Sequence, residues 1–165
     1  MKRIFQILQS LIKNLRWQAV RVFLIHPHFI VPTVWATIES IRLSERHFDD
    51  SPDGNGPANA YRHAAWNVLI AYYCSKISNS QKAVRWAEKI TNLHEELFPN
   101  SDFDREMDLH NNSIGRKLYL NAVTDKVKSK KEILQRLKLM TNTAVGLDDE
   151  KLFTANLGRL VYFKN

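Results

Sequence analysis

Three segments of the chain carry polar and titratable side chains at spacings that place them on one helical face. Asn59, His63 and Asn67 follow one another at intervals of four residues within an otherwise apolar stretch, and residues four apart lie on the same side of a helix. Each buried polar group that stays unpaired costs about 1–3 kcal/mol. The stripe therefore predicts either a structural hydrogen-bond network or a functional site that includes His63.

A second segment, in the next helical stretch, supplies a carboxylate. Glu88, Asn92 and Glu95 share one helical face, so Glu95 is expected to point inward. His94 lies about 100° around the helix from Glu95. At most one of these two neighbours is therefore expected at the centre of a site.

A third segment places an acid, an amide and a guanidinium group on one stripe. Asp108, Asn112 and Arg116 recur at intervals of four residues. Asn111 and Asn112 are poor helix formers, and Gly115 costs about 1 kcal/mol relative to alanine inside a helix. Such a glycine indicates a close helix crossing or room for a ligand, so this segment favours a functional site over plain packing.

The three segments predict one site, with His63, Glu95 and Asp108 as titratable groups within about 10 Å of one another. Two chemistries remain open. A histidine and carboxylates can bind a divalent metal ion, such as zinc, that keeps a position for water. Without a metal, a carboxylate would orient His63, which would take a proton from water. The expected catalytic residues are His63, Glu95, Asp108 and His94, and the expected binding residues are Arg62, Asn67, Asn111, Asn112 and Arg116.

The elements that must hold these residues are helices. Only ten of the 165 residues are glycine or proline, too few for a sandwich or barrel of many short strands. The sequence therefore predicts an all-α single domain, a bundle of five to seven helices that opens with a basic amphipathic helix. The motif-bearing core spans 55–118, between N-terminal helices over 3–47 and basic C-terminal helices over 119–165. The predicted helices are 3–25, 33–47, 57–77, 80–97 (capped by Ser80), 102–123 and 129–142, with a short one near 149–157 and a helical or extended tail at 160–163.

The charge is unevenly distributed along the chain. Residues 1–38 carry five basic groups and no acid, residues 39–115 a net charge of −4, and residues 116–165 a net charge of +6. Basic ends can simply be solvated, but they are also typical of proteins that bind anionic surfaces. An anionic membrane surface is the expected partner, through the helix at 3–25. Nucleic acid binding through 116–138 is the weaker alternative, because no helix-turn-helix or zinc motif accompanies it.

No segment has the pattern of a signal peptide or a transmembrane helix. Lys13, Arg16 and Arg21 interrupt the apolar core that a signal peptide needs. The longest uncharged run, residues 22–38, contains Pro27 and is shorter than the roughly 20 residues of a spanning helix. We therefore expect a protein that is cytoplasmic or peripheral at the inner face of the membrane. The sequence leaves its oligomeric state open.

The polar segments resemble the signature of an uncharacterised bacterial family of helical domains. The resemblance covers about residues 55–118, and its motifs are Arg62-His63-Ala64-x-Trp66, His94-Glu95 and Asp108-x-x-Asn111-Asn112-x-x-Gly115-Arg116. Members of this kind of family also occur as C-terminal domains of large toxin-like proteins, which implies a hydrolytic effector by analogy. No established reaction accompanies the resemblance, and a shared fold does not determine function.

Two functions of different classes follow. The first is a small helical hydrolase that acts on phospholipid or another phosphoester at a membrane surface, with Arg116 holding the anionic group. The second is a non-enzymatic helical module whose polar cluster is structural and whose basic ends bind lipid, nucleic acid or a protein partner. Convergence of His63, Glu95 and Asp108 in an open pocket would favour the hydrolase.

Overall fold

The computed structural model describes residues 17–48, 56–98, 101–148 and 154–163, which form six α-helices and two short strands. The helices are α1 (Trp17–Ile25), α2 (Ile30–His47), α3 (Pro57–Cys74), α4 (Ser80–Leu97), α5 (Asp102–Thr124) and α6 (Lys130–Thr141). The strands β1 (Val145–Leu147) and β2 (Val161–Phe163) pair in parallel, with Val145 opposite Val161. This architecture confirms the predicted all-α bundle.

Helix α3 is the centre of the bundle. It packs against α2, α4, α5 and α6, and residues on most of its faces are buried. Its fully buried small residues include Ala60, Ala64, Ala65 and Ala71. Small side chains let neighbouring helices approach, and a helix that is apolar nearly all round belongs in the interior of a domain. The polar residues of α3 therefore face other helices.

The helix starts follow local capping signals. The side chain of Asn79 accepts the backbone N–H of Lys82 at 2.8 Å. The prediction that Ser80 caps this helix is wrong, because α4 begins at Ser80 and the capping position belongs to the residue before it. Ser101 and Ser129 cap α5 and α6 in the way that Asn79 caps α4.

Several predicted boundaries shift by a few residues. Helix α2 begins at Ile30 rather than at residue 33, since Pro32 is tolerated in the first turn, where its missing N–H is not needed. Helix α3 ends at Cys74 rather than at residue 77. Among the described helices, none is both long and apolar enough to cross a membrane.

The structure describes only part of the helices predicted near the two ends of the chain. Helix α1 is the described end of the helix predicted at 3–25, and residues 3–16 lie outside the described residues. Of the helix predicted near 149–157, the described part holds a single 3-10 turn at Thr154–Asn156. The sequence leaves the conformation of the tail at 160–163 open between helical and extended. In the structure its residues 161–163 are extended and form β2.

Candidate active site

A close crossing of α3 and α5 positions the site. A Cβ atom added at Gly115 would clash with the carbonyl oxygen of Ala64 and lie 2.9 Å from the Ala64 Cα atom. Glycine permits this approach because it has no side chain. The crossing confirms the close helix contact that the glycine predicts, and it brings the polar faces of the two helices together.

His63 of α3, Glu95 of α4 and Asp108 of α5 meet inside the bundle. One potential ligand atom of each residue lies within 4.8 Å of the others. His63 Nε2 is 3.3 Å from Asp108 Oδ1, and His63 Nδ1 is 3.8 Å from Glu95 Oε1. None of the three side chains lies in an open pocket: the most exposed of them, His63, is only 4% exposed. The three segments thus form one enclosed centre.

Asn59 and Arg62 support the Asp108 side of this centre. Asn59 Nδ2 donates to Asp108 Oδ1 at 3.0 Å, and Arg62 Nη2 donates to Asn59 Oδ1 at 2.5 Å. Arg62 Nη2 also lies 3.2 Å from His63 Nε2. Arg62 is half-buried as a residue, and its guanidinium group lies against this side of the centre.

Asn67, Asn112 and Arg116 support the opposite side. Asn67 Nδ2 donates to Asn112 Oδ1 at 2.7 Å, and Asn112 Nδ2 donates to Glu95 Oε1 at 3.4 Å. Arg116 donates to Asn67 Oδ1 at 3.0 Å and to Glu88 Oε1 at 3.4 Å. Both guanidinium groups donate within the protein: that of Arg116 contacts Asn67 and Glu88, and that of Arg62 contacts Asn59 and His63.

Two supporting residues were not among the predicted site residues. Asn59 shares the four-residue spacing of His63, which is a signal for its role. Thr91 accepts a hydrogen bond from Arg116 at 3.5 Å, and its hydroxyl lies 3.4 Å from Asn67 Oδ1. Thr91 lies four residues before Glu95, so the same helical spacing could have predicted that Thr91 faces the centre.

Two predicted site residues lie outside the centre. His94 packs edge-on against Trp66, with ring centroids 5.2 Å apart, and burial lowers the pKa of His94 to about 4. Asn111 donates to the carbonyl of Val161 at 2.9 Å and accepts the N–H of Val161 at 3.0 Å. Asn111 therefore joins β2 to α5, whereas its sequence neighbour Asn112 faces the centre.

Burial determines the protonation states of the centre. It lowers the pKa of His63 well below its ordinary value, and the positive charge of Arg62 lowers that pKa further. Burial raises the pKa of Glu95 to about 8, with the charge of Asp108 adding to the shift. It raises the pKa of Asp108 to about 7, against the opposing effects of Arg62 and Asn59. Near neutral pH the metal-free centre therefore holds a neutral imidazole, a mostly protonated Glu95 and an Asp108 that is partly deprotonated.

This donor set can support either of the two predicted chemistries. One nitrogen and two oxygens from three helices match the mixed ligands of a catalytic zinc ion that keeps an open position. Carboxyl groups that titrate near neutral pH are also suited to general acid–base catalysis. A histidine with a lowered pKa is a weak base, so in the metal-free chemistry the carboxyl groups would carry the protons.

Comparison with curated proteins gives no match, and comparison with solved structures gives none either. The family model of a domain of unknown function, DUF6973, matches residues 20–145. The matched range contains α2–α6 and the whole centre, and it agrees with the resemblance to an uncharacterised family. The chain therefore belongs to the DUF6973 family.

Proposed function

We propose that the protein is a hydrolase whose catalytic centre consists of His63, Glu95 and Asp108. The observation that supports this proposal is the placement of the three side chains, one from each of three helices, within 4.8 Å in the interior of the bundle. Titratable groups are costly to bury, and groups with perturbed pKa values cluster at functional sites. Packing alone would be served better by apolar side chains.

The proposed reaction is the attack of water on a phosphoester. The water oxygen forms a bond to phosphorus while the bond between phosphorus and the leaving alcohol breaks. In the metal-free chemistry, Asp108 takes the proton that the water loses, and Glu95 gives its proton to the leaving oxygen. This division of roles follows the pKa values, since burial and the charge of Asp108 raise the pKa of Glu95 to about 8, above that of its neighbour.

Arg62 supplies the positive charge that such a substrate requires. Its guanidinium group lies 3.2 Å from His63 Nε2, and the residue as a whole is half-buried. A guanidinium group binds phosphate oxygens through several N–H groups at once. Of the two arginines, Arg62 is the one that contacts His63, whereas Arg116 donates to Asn67 and Glu88.

A membrane surface is the proposed place of action, which makes phospholipid the favoured phosphoester. Arg21, Arg42 and Arg46 are exposed on α1 and α2. Apolar and aromatic side chains beside arginines are typical of surfaces that dock on anionic lipid. Five large apolar residues on the same two helices, which we name the α1–α2 patch, are at least 40% exposed: Leu24, Ile25, Val31, Val34 and Trp35.

A non-enzymatic helical module is the second candidate. It is favoured by the enclosed position of the centre, which is not the open pocket expected of a hydrolase. It is also favoured by the hydrogen bonds that connect Asn67, Asn112 and Arg116, because a satisfied polar network can hold a bundle together. Its basic ends would then bind lipid, nucleic acid or a protein partner. The resemblance to C-terminal domains of toxin-like proteins agrees better with the hydrolase.

Hydrolysis assays of the purified chain test the proposal, with phosphodiester and phospholipid substrates and with or without divalent cations. We expect Asp108→Asn and Glu95→Gln to lower the rate by more than about 100-fold. Glu96→Gln, which changes an exposed acid on the same helix, is the matched control. Circular dichroism checks that each variant is folded. Equal rates in all four proteins, or no hydrolysis of any substrate, would favour the non-enzymatic module.

A further inference from the structure

We infer that His63, Glu95 and Asp108 are the protein ligands of one divalent transition-metal ion, with zinc as the best fit. The inference rests on the proposed function, because it concerns the same three residues. It names a metal ion as the group that would activate the attacking water. It decides between the two chemistries that the donor set permits.

The three side chains bring one donor atom each to within 4.8 Å of the others, somewhat wider than bound ligands lie. Ligand atoms about 2.0–2.2 Å from a tetrahedral zinc ion are roughly 3.4 Å apart. His63 Nε2 and Asp108 Oδ1 are 3.3 Å apart, and His63 Nδ1 and Glu95 Oε1 are 3.8 Å apart. The two distances involve different nitrogens of the His63 ring, and one ion binds only one of them, so a side-chain rotation must bring the third donor to the ion.

A second observation is a buried ring nitrogen without a partner. His63 is 4% exposed, and its Nδ1 atom has no hydrogen bond of ordinary geometry among the described residues, although the side chain of Asn112 lies beside the ring. Such orphaned polar atoms are rare in native proteins, and each one requires an explanation. Nδ1 lies 3.8 Å from Glu95 Oε1, so an ion bound by these two atoms would give Nδ1 a partner, and rotation of the Asp108 side chain would bring in the third ligand.

The surrounding amides hold both carboxylates in the way that residues around a metal centre do. Asn59 donates to Asp108, and Asn112 donates to Glu95. Such hydrogen bonds orient metal ligands and leave further lone pairs for the ion. When both buried carboxyl groups lose their protons, they need compensating positive charge beyond that of Arg62, and a divalent ion between them would supply it.

The donor set selects the kind of ion. One imidazole nitrogen and two carboxylate oxygens suit zinc or a similar transition metal, with a remaining position for water. Calcium takes about six to eight oxygen ligands, far more than these three residues provide. Inward-facing side chains from separate helices are also how helical bundles build metal centres.

The test is zinc binding by the full-length chain after a chelator has removed any metal. Titration calorimetry and elemental analysis are expected to give one zinc ion per chain. Glu95→Gln and Asp108→Asn preserve the side-chain shapes, and each should weaken zinc binding by more than about 100-fold. Glu96→Gln is the matched control and should bind zinc as the unmodified chain does.

Cobalt(II) provides a second readout that does not depend on loss of binding. Cobalt in a tetrahedral nitrogen and oxygen site gives visible absorption bands, which we expect for the unmodified chain. His63→Cys places a thiolate at the centre, so its cobalt complex should gain an intense near-ultraviolet charge-transfer band. This variant locates the ion even if Glu95→Gln or Asp108→Asn fails to fold.

Three results would overturn the metal centre: no zinc or cobalt binding by the unmodified chain, zinc binding that is equal in all variants, or a cobalt spectrum that His63→Cys does not change. Zinc binding without hydrolysis would keep the metal centre and remove the proposed hydrolase. Hydrolysis by the metal-free chain, lost in Asp108→Asn, would keep the hydrolase and remove the metal centre.

Discussion

Ala64 of α3 and Gly115 of α5 meet backbone to backbone, and this contact sets the distance between the helices that carry His63 and Asp108. His63 directly precedes Ala64, and Asp108 lies two helical turns before Gly115. Any side chain at the glycine would push the two helices apart. The contact is therefore the structural cause of the convergence at the centre.

Gly115→Ala should destabilise the protein by about 1–3 kcal/mol, because overpacking displaces the backbone of Ala64. The gain in helix propensity, about 1 kcal/mol, offsets only part of this cost. Urea denaturation measures the change in the free energy of unfolding. Gly158→Ala is the control, since its Cβ atom would meet nothing within 4 Å. Equal stabilities of the two variants would contradict the role assigned to the crossing.

Asn67→Ala should cost about 1–3 kcal/mol, at the upper end of that range because a charged donor loses its acceptor. Asn67 is fully buried, accepts from Arg116 at 3.0 Å and donates to Asn112 at 2.7 Å. The matched control is Asn121→Ala, which removes an exposed amide from α5 and should leave stability within about 0.5 kcal/mol. Thermal and urea unfolding of the two variants provide the comparison. If Asn67→Ala left the free energy of unfolding unchanged, water would be replacing the amide without cost, which would contradict this prediction.

Helical spacing was enough to predict which residues converge, because an interval of four residues maps directly onto one face of a helix. This reasoning found His63, Asn67 and Asp108. It also preferred Glu95 to its neighbour His94 as the inward-facing residue, and the structure places them in that way. The stripes are visible in the sequence because the helices that carry them are otherwise apolar.

Contacts between distant segments could not be predicted from spacing. Whether Arg116 is available to a ligand depends on how α4 packs, since its partner Glu88 comes from that helix. Strands β1 and β2 each span three residues, and such short strands are too brief to show an alternating pattern of apolar and polar residues. Asn111 and Asn112 look equivalent in the sequence, but only the fold shows that Asn111 serves β2.

The stability of the metal-free protein should fall as pH rises from about 6.5 to 8. Burial, and then the charge of Asp108, raises the pKa of Glu95 from 4.5 to about 8. In that window the folded state keeps a proton that the unfolded chain has lost, so stability decreases by up to about 1.4 kcal/mol per pH unit. The lowered pKa of His63 has the opposite effect, but only below its ordinary value of 6.5.

Urea unfolding in the presence of a chelator, at intervals across this pH range, measures that slope. Glu95→Gln should flatten it, because the substituted amide does not titrate, and Glu96→Gln should leave it unchanged. Asp108, with a pKa raised to about 7, adds a decline of the same sign in the lower half of the window. Stability that stays constant or increases from pH 6.5 to 8 would contradict the assigned protonation states.

Asn111→Ala should destabilise the protein by about 1–3 kcal/mol without weakening zinc binding. The substitution leaves the buried N–H and carbonyl of Val161 without the partners they have at 3.0 Å and 2.9 Å. Calorimetric zinc titration of the folded variant should give the affinity of the unmodified chain. A large loss of zinc affinity at unchanged stability would instead place Asn111 in the centre.

Val31→Glu and Trp35→Glu should each reduce binding to vesicles that contain anionic phospholipid by about tenfold or more, because a charge replaces apolar surface that would enter the lipid. Val31 is 77% exposed and Trp35 is 55% exposed, so neither substitution disturbs the core. Leu157→Glu, at a site 63% exposed in the C-terminal segment, is the control. Co-sedimentation measures the bound fraction, and raising the salt concentration should weaken it, since exposed arginines contribute attraction that ions screen. Binding that all three variants retain equally would show that the α1–α2 patch does not dock on the membrane.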